Sequence, residues 1–230
     1  MRRYTYCCEV RTIISFKLFY MNSILETMNW RYATKAFDTE KKLSDEQLQT
    51  LLDAAILSPS SYGLQPYKMI VVSDPAIRTQ LQAAGYGQPQ ITEASNLVLF
   101  AVKTNIDDST VDEFIALIAS VRGVPVEMLA EYSGMIKRML LSLSPEARID
   151  WATRQAYIAL GVMVSAAAGM HIDMGPMEGF DAAQFDAILG LKEHNLTTKV
   201  IAVLGFRKDE EEVKNFKKVR FPKSEIVITK

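Results

Sequence analysis

Residues 31–72 read RYATKAFDTEKKLSDEQLQTLLDAAILSPSSYGLQPYKMIVV, and this stretch decides the fold. It opens on Arg31-Tyr32-Ala33-Thr34-Lys35, two cations four residues apart with a hydroxyl between them. Ser44 then stands as a helix N-cap and Gln47, three residues on, completes a capping box. Leu43 and Leu48 take the hydrophobic-staple positions around it. Leu48, Leu51, Leu52, Ala55 and Ile56 recur at helical spacing, which predicts one apolar face. Ser58-Pro59 ends the helix, because the residue before a proline is pushed out of the helical region. A polar loop with two prolines, Ser58 to Tyr67, leads into a short buried strand over 68–72.

The rest of the chain alternates in the same way. A short helix is predicted over Asn22–Trp30. Asp74-Pro75 starts another, with proline at its first position. Leu97–Val102 is a continuous apolar run suited to a central strand. Val111–Val121 is an amphipathic helix closed by Gly123, and Val126–Leu143 a further one interrupted near Ser133-Gly134. Arg148–Ala168 is apolar almost all round, so it belongs in a core or a subunit interface, with Gly169 as its C-terminal cap. Gly175-Pro176-Met177-Glu178-Gly179-Phe180 reads as a tight loop exposing backbone N–H groups. Asp181 and Gln184 form a second capping pattern before a helix that stops at Gly190, and Thr198–Phe206 is another buried strand. The charged run Arg207–Lys218 reads as a solvated loop or helix, and Glu225–Thr229 as a terminal edge strand. Many helices and few strands make an α+β layout without internal repeats or linkers.

Composition narrows the function. The chain has 230 residues, 49% hydrophobic and 23% charged, as folded globular proteins do. A net charge of -1 argues against nucleic acid as a partner. The two cysteines, Cys7 and Cys8, are adjacent near the N-terminus, and the two histidines, His171 and His194, are isolated. No metal site, cysteine nucleophile or Ser-His-Asp triad is expected. Residues 1–20 carry Arg2, Arg3, Arg11 and Lys17 against Glu9 alone. They read as an extension upstream of a natural start at Met21, with a single domain over 21–230, a cytoplasmic location and no membrane span. There is no G-x-G-x-x-G after a strand, no P-loop, no H-E-x-x-H and no G-x-S-x-G. Enzymatic chemistry would therefore come from a bound cofactor.

Three segments carry candidate binding groups: Arg31–Asp38; the loop Ser58–Tyr67; and Gly175–Phe180 paired with Lys218-Val219-Arg220-Phe221-Pro222. Arginine suits a phosphate because its fork donates two parallel hydrogen bonds. Each segment alone is also compatible with an ordinary turn or a solvated basic tail. Together, in order, RYATKAFDTEKKLSDEQLQTLLDAAILSPSSYGLQPYKMIVV, MGPMEGFD and KKVRFP resemble the nitroreductase family of FMN flavoproteins, in particular its oxygen-insensitive NAD(P)H branch.

The resemblance implies a central, mostly antiparallel sheet wrapped by helices, in an intertwined homodimer with FMN at the subunit interface. It implies that Arg31, Lys218 and Arg220 hold the FMN phosphate, with Tyr32 and Ala33 in the same strip and Lys35 at the flavin N1/O2 edge. Pro59, Ser60 and Ser61 would come from the other subunit. Gly87, Gln88 and Gln90 stand where many relatives place an asparagine, and a glutamine is expected to substitute. Pro176, Met177, Glu178 and Gly179 would pass the ring face or its N5 edge. No side chain would serve as a catalytic acid or base, although Lys35 and Glu178 would support hydride transfer at N5. Tyr62 and Tyr132 are the candidates for stacking the acceptor. The implied activity is two-electron, ping-pong reduction of nitroaromatics, quinones or similar electron-poor rings with NADH or NADPH. Dihydropteridine or free-flavin reduction, or non-catalytic FMN binding, are the alternatives.

Overall fold

The computed structural model describes residues 24–230. The predicted extension over 1–20 lies outside them. A helical segment α1, 24–30, precedes a strip over 31–36 that is neither helix nor strand. Helix α2, Asp45–Ile56, begins as predicted: the Ser44 side chain accepts from Gln47 N–H, and the Gln47 side chain accepts from Ser44 N–H. Strand β1, Tyr67–Val72, follows the loop. Asp74 caps α3, Pro75–Ala84, by accepting from Ala76 and Ile77. A short α4, Gln90–Glu93, leads into β2, Asn96–Lys103. Helices α5, Asp108–Arg122, α6, Ala130–Leu141, and α7, Pro145–Gly169, form the long helical run. Strand β3, Asp173–Met177, helix α8, Ala182–Ile188, strand β4, Leu196–Gly205, and a single-turn α9, Lys223–Ile226, complete the chain.

The four strands form one antiparallel sheet in the order β1-β2-β4-β3. The two central strands carry continuous apolar runs, Leu97–Val102 in β2 and Val200–Leu204 in β4, because helices cover both faces. Val98, Phe100 and Val102 of β2 join Val200, Ala202 and Leu204 of β4 in a core with α2, α5, α6 and α7. Leu97 and Leu99 join Ile201 and Val203 in a second core with α3, α4 and α8. The period-2 alternation thus divides each strand between the two cores.

Six expectations are corrected. The strand over 68–72 is not a buried one: β1 lies at the sheet edge, and within it only Tyr67 and Val72 are buried. The segment 175–180 is not a loop throughout: Gly175, Pro176 and Met177 lie in β3, and the turn starts at Glu178. An edge strand pairs on one side only, so it tolerates a proline that a central strand would reject. The break in Val126–Leu143 falls at Leu129, between a 3-10 turn and α6, and the helix runs through Ser133-Gly134. Helix α7 continues through Gly169, Met170 is its cap, and His171 takes the positive φ of 53°. Lys223–Ile226 is a helical turn, so Glu225–Thr229 forms no strand among the described residues. The charged run after β4 is not wholly solvated, since Glu211 is buried. Among the described residues, no helix is long and apolar enough to cross a membrane.

Candidate functional site

The strip 31–36 is held against β3 and the segment after β4. Its side chains alternate: Ala33 and Lys35 face outward, while Thr34 is buried. Thr34 Oγ1 donates to Asp173 Oδ1 at 3.0 Å. The same buried carboxylate accepts from Arg207 N–H at 2.9 Å and Nε at 2.7 Å. The Arg207 guanidinium in turn lies over the Trp30 ring at 4.2 Å and the Tyr32 ring at 4.4 Å, two cation–π contacts from one side chain. Gly175 makes this close approach possible, because a Cβ there would stand 3.0 Å from the Thr34 carbonyl oxygen.

Three cations converge beside the strip. Lys218 Nζ reaches back across the fold to the carbonyl oxygens of Asn29, at 2.9 Å, and Arg31. Burial and then the Arg220 guanidinium lower the Arg31 pKa. Burial, followed by Arg31, Arg220 and Arg207, lowers that of Lys218. These groups repel one another, and a bound dianion would relieve the repulsion. Burial likewise raises the Tyr32 phenol to about 12.

The other predicted residues fall in two further places. Gln88 Nε2 donates to the carbonyls of Gly85, at 3.0 Å, and Gly179, at 2.6 Å, while Gln90 Nε2 donates to Gln88 Oε1 at 3.2 Å. Gln88, Gln90 and Gly179 therefore meet, next to Gly87 with its φ of 71°. Glu178 is exposed and accepts from the Tyr157 hydroxyl of α7 at 2.5 Å. Partial burial of the hydroxyl, and this bond, raise the Tyr157 pKa although the ring is exposed. Met177 turns its side chain into the core, so only its backbone is open to a ligand. Pro176 is half-buried.

The loop 59–62 is anchored to α7, where buried Gln155 accepts from Ser61 N–H at 2.8 Å. Ser60 Oγ accepts from Gln65 N–H at 3.2 Å. Tyr62 and Tyr132 meet, with Tyr132 Oη 3.3 Å from the Tyr62 carbonyl, and they line one groove of about 330 Å³ with Phe114, Leu117, Ile118 and Val121. Among the described residues, no hydrogen bond or ion pair joins Pro59, Ser60 or Ser61 to the Arg31, Lys218 and Arg220 cluster. Sequence reasoning missed Asp173, Arg207, Glu211 and Tyr157. Their partners lie far away in the chain, and no local periodicity signals them. Among the described residues, no cluster of three His, Cys, Asp or Glu side chains is set to hold a metal ion.

The nitroreductase family model matches residues 28–206, and the chain belongs to this family. A Bacillus subtilis protein named "Putative NAD(P)H nitroreductase YfkO" is 35% identical over 195 residues, covering 80% of this chain and 88% of its own. A Staphylococcus haemolyticus relative with the same descriptive name is 30% identical, covering 89% and 96% of the two chains. In fold, the chain is similar to a B. subtilis protein described as "putative nitroreductase ydfN", with a TM-score of 0.78, 22% identity and coverage of 91% and 100%. It is also similar to an Exiguobacterium sibiricum protein described as "a putative nitroreductase in complex with FMN", with a TM-score of 0.76, 21% identity and coverage of 90% and 97%.

Proposed function

We propose that the chain is an FMN-dependent NAD(P)H oxidoreductase that reduces nitroaromatics, quinones or similar electron-poor rings by two-electron, ping-pong hydride transfer. The observation that carries this reading is the placement of Arg31, Lys218 and Arg220 beside the strip, with Lys218 Nζ on the Asn29 and Arg31 carbonyls, a group of cations that suits a dianionic phosphate. The names of the sequence relatives support NAD(P)H as the donor. FMN, when bound, supplies the two-electron chemistry. This chain's residues hold and orient it: Arg31, Lys218 and Arg220 at the phosphate, Tyr32 and Ala33 along the strip, and Lys35 at the N1/O2 edge, where a cation favours the reduced, anionic ring. Backbone groups of Pro176, Met177, Glu178 and Gly179 serve the N5 side. Gly87, Gln88 and Gln90 serve the pyrimidine edge. Tyr62 and Tyr132 stack the acceptor.

The working unit in this reading is a homodimer of one domain over 21–230, in the cytoplasm with its nicotinamide donors. Pro59, Ser60 and Ser61 of the partner subunit would complete the site. Two features support the dimer. Helix α7 leaves Tyr157 and Ile158 exposed on its outer face, and the tail exposes Val219, Phe221 and Ile228.

Arg220→Ala tests the reading. The variant should keep its circular dichroism but lose FMN on desalting, read as loss of the yellow absorbance. Stoichiometric retention of FMN would sink the assignment. Anaerobic NADH or NADPH should bleach the wild type, and a quinone should restore its colour. A yellow protein that neither donor bleaches would favour FMN binding without catalysis.

A further inference from the structure

The three cations come from two segments almost a chain apart, so something must hold those segments together. Lys218 ties the tail to the strip at Asn29 and Arg31. The second tie is Glu211. This residue is 6% exposed, and its carboxylate accepts from Lys35 N–H through Oε1 and Ala36 N–H through Oε2, both at 3.0 Å. Lys208 N–H donates to the Ala36 carbonyl at 3.1 Å, and Glu211 N–H to the Lys208 carbonyl at 3.2 Å, closing the turn that presents the carboxylate. Among the described residues, no Lys or Arg forms an ion pair with Glu211. A buried carboxylate without a counter-cation is costly, and two backbone donors to a charged acceptor offset that cost. An apolar side chain in its place would leave the Lys35 and Ala36 N–H groups without these acceptors, so the two-oxygen acceptor fits the placement of two successive amides.

We infer that Glu211 is a positioning residue for the phosphate-binding site. By fixing Lys35 and Ala36 at one end of the strip, while Lys218 fixes the other, it sets the register between Arg31 and the tail cations Lys218 and Arg220. This inference rests on the FMN reading above. A glutamine cannot replace the carboxylate, because its NH2 group would face one of the two N–H donors.

The test compares Glu211→Gln with wild type, each stripped of flavin and titrated with FMN and, separately, with riboflavin, which has the same ring but no phosphate. FMN affinity should fall about tenfold or more, the size expected for losing a hydrogen bond to a charged group. Riboflavin affinity should fall less, because riboflavin keeps the Lys35 contact that Glu211 also steadies but uses none of the three phosphate cations, so the ratio of the two affinities drops. An unchanged ratio, or an FMN affinity equal to wild type, overturns the inference, since general loosening of the fold would lower both affinities alike. If Glu211→Gln does not fold, Glu211→Asp carries the same titrations. It keeps the charge but not the reach, and a wild-type ratio there would equally overturn the inference. Failure of the wild-type protein to bind FMN would instead remove the reading on which the inference stands.

Discussion

At the scale of single residues, the site depends on buried polar groups with several partners each. Asp173 serves Thr34 and Arg207 together, and Arg207 fills the space between Trp30 and Tyr32. Tyr32 carries a measurable consequence. Burial raises its phenol to about 12, against the ordinary 10.0. The folded chain thus holds this proton more tightly than the unfolded chain. That contribution to stability is fully present below about pH 10 and is lost as pH rises through about 12. Tyr157 is raised as well. Urea unfolding followed across this alkaline range should show stability falling with pH, and Tyr32→Phe should flatten the fall in part. A variant with an unchanged slope would argue against burial of the phenol. Neither effect was legible in the sequence, where Arg31–Asp38 equally suits a surface turn. The Arg207 guanidinium that lies over the Tyr32 ring comes from far along the chain.

At the scale of elements, local chemistry and tertiary demand diverged most at β3. Gly175 and Pro176 are both poor strand formers, yet the edge position admits the proline, and the crossing strip requires a residue without a side chain. Gly175→Ala would place a Cβ 3.0 Å from both the Thr34 carbonyl oxygen and Val203 Cγ2. Backbone yields less readily than a flexible side chain, so the strip must give by a few tenths of an ångström at Thr34. We expect a loss of about 1–3 kcal/mol in urea unfolding, the usual cost of overpacking, with weaker FMN retention. Unchanged stability would show that the strip tolerates displacement. The hinge between α6 and α7 was also beyond local reading. Arg148 donates to the carbonyls of Leu140, Leu141, Leu143 and Ile106, tying the end of α6 to the start of α7. Helical periodicity marks Arg148 only as polar.

At the scale of the whole molecule, the question is what covers α7. Its inner face packs Trp151, Ala152, Ala156, Ala159, Leu160 and Met163 into the core, while Ile158 remains 41% exposed on the outer face. The sequence called for burial on every side, and a single chain supplies only one. If a second copy supplies the other, Ile158→Asp should shift the protein toward monomer in analytical ultracentrifugation, because an unpaired carboxylate is costly in an apolar contact. FMN retention should fall with it, as the site would lose its second subunit. A variant that stays dimeric would place the subunit contact elsewhere.

The sequence by itself determined the elements whose signals are local. The Ser44–Gln47 box, the Asp74-Pro75 start and the Asp181–Gln184 cap set helix beginnings. The apolar runs of β2 and β4 set the central strands. Family wording carried the three candidate segments. Only the tertiary structure decided that Gly175–Met177 is a strand, that Gln88 lies against Gly179, and that Arg207 and Glu211 are fasteners within a run that otherwise reads as solvated charge. The physical reason is the same in each case. Caps and periodicity act within a few residues, whereas a buried charge is stable only where distant donors and acceptors meet it.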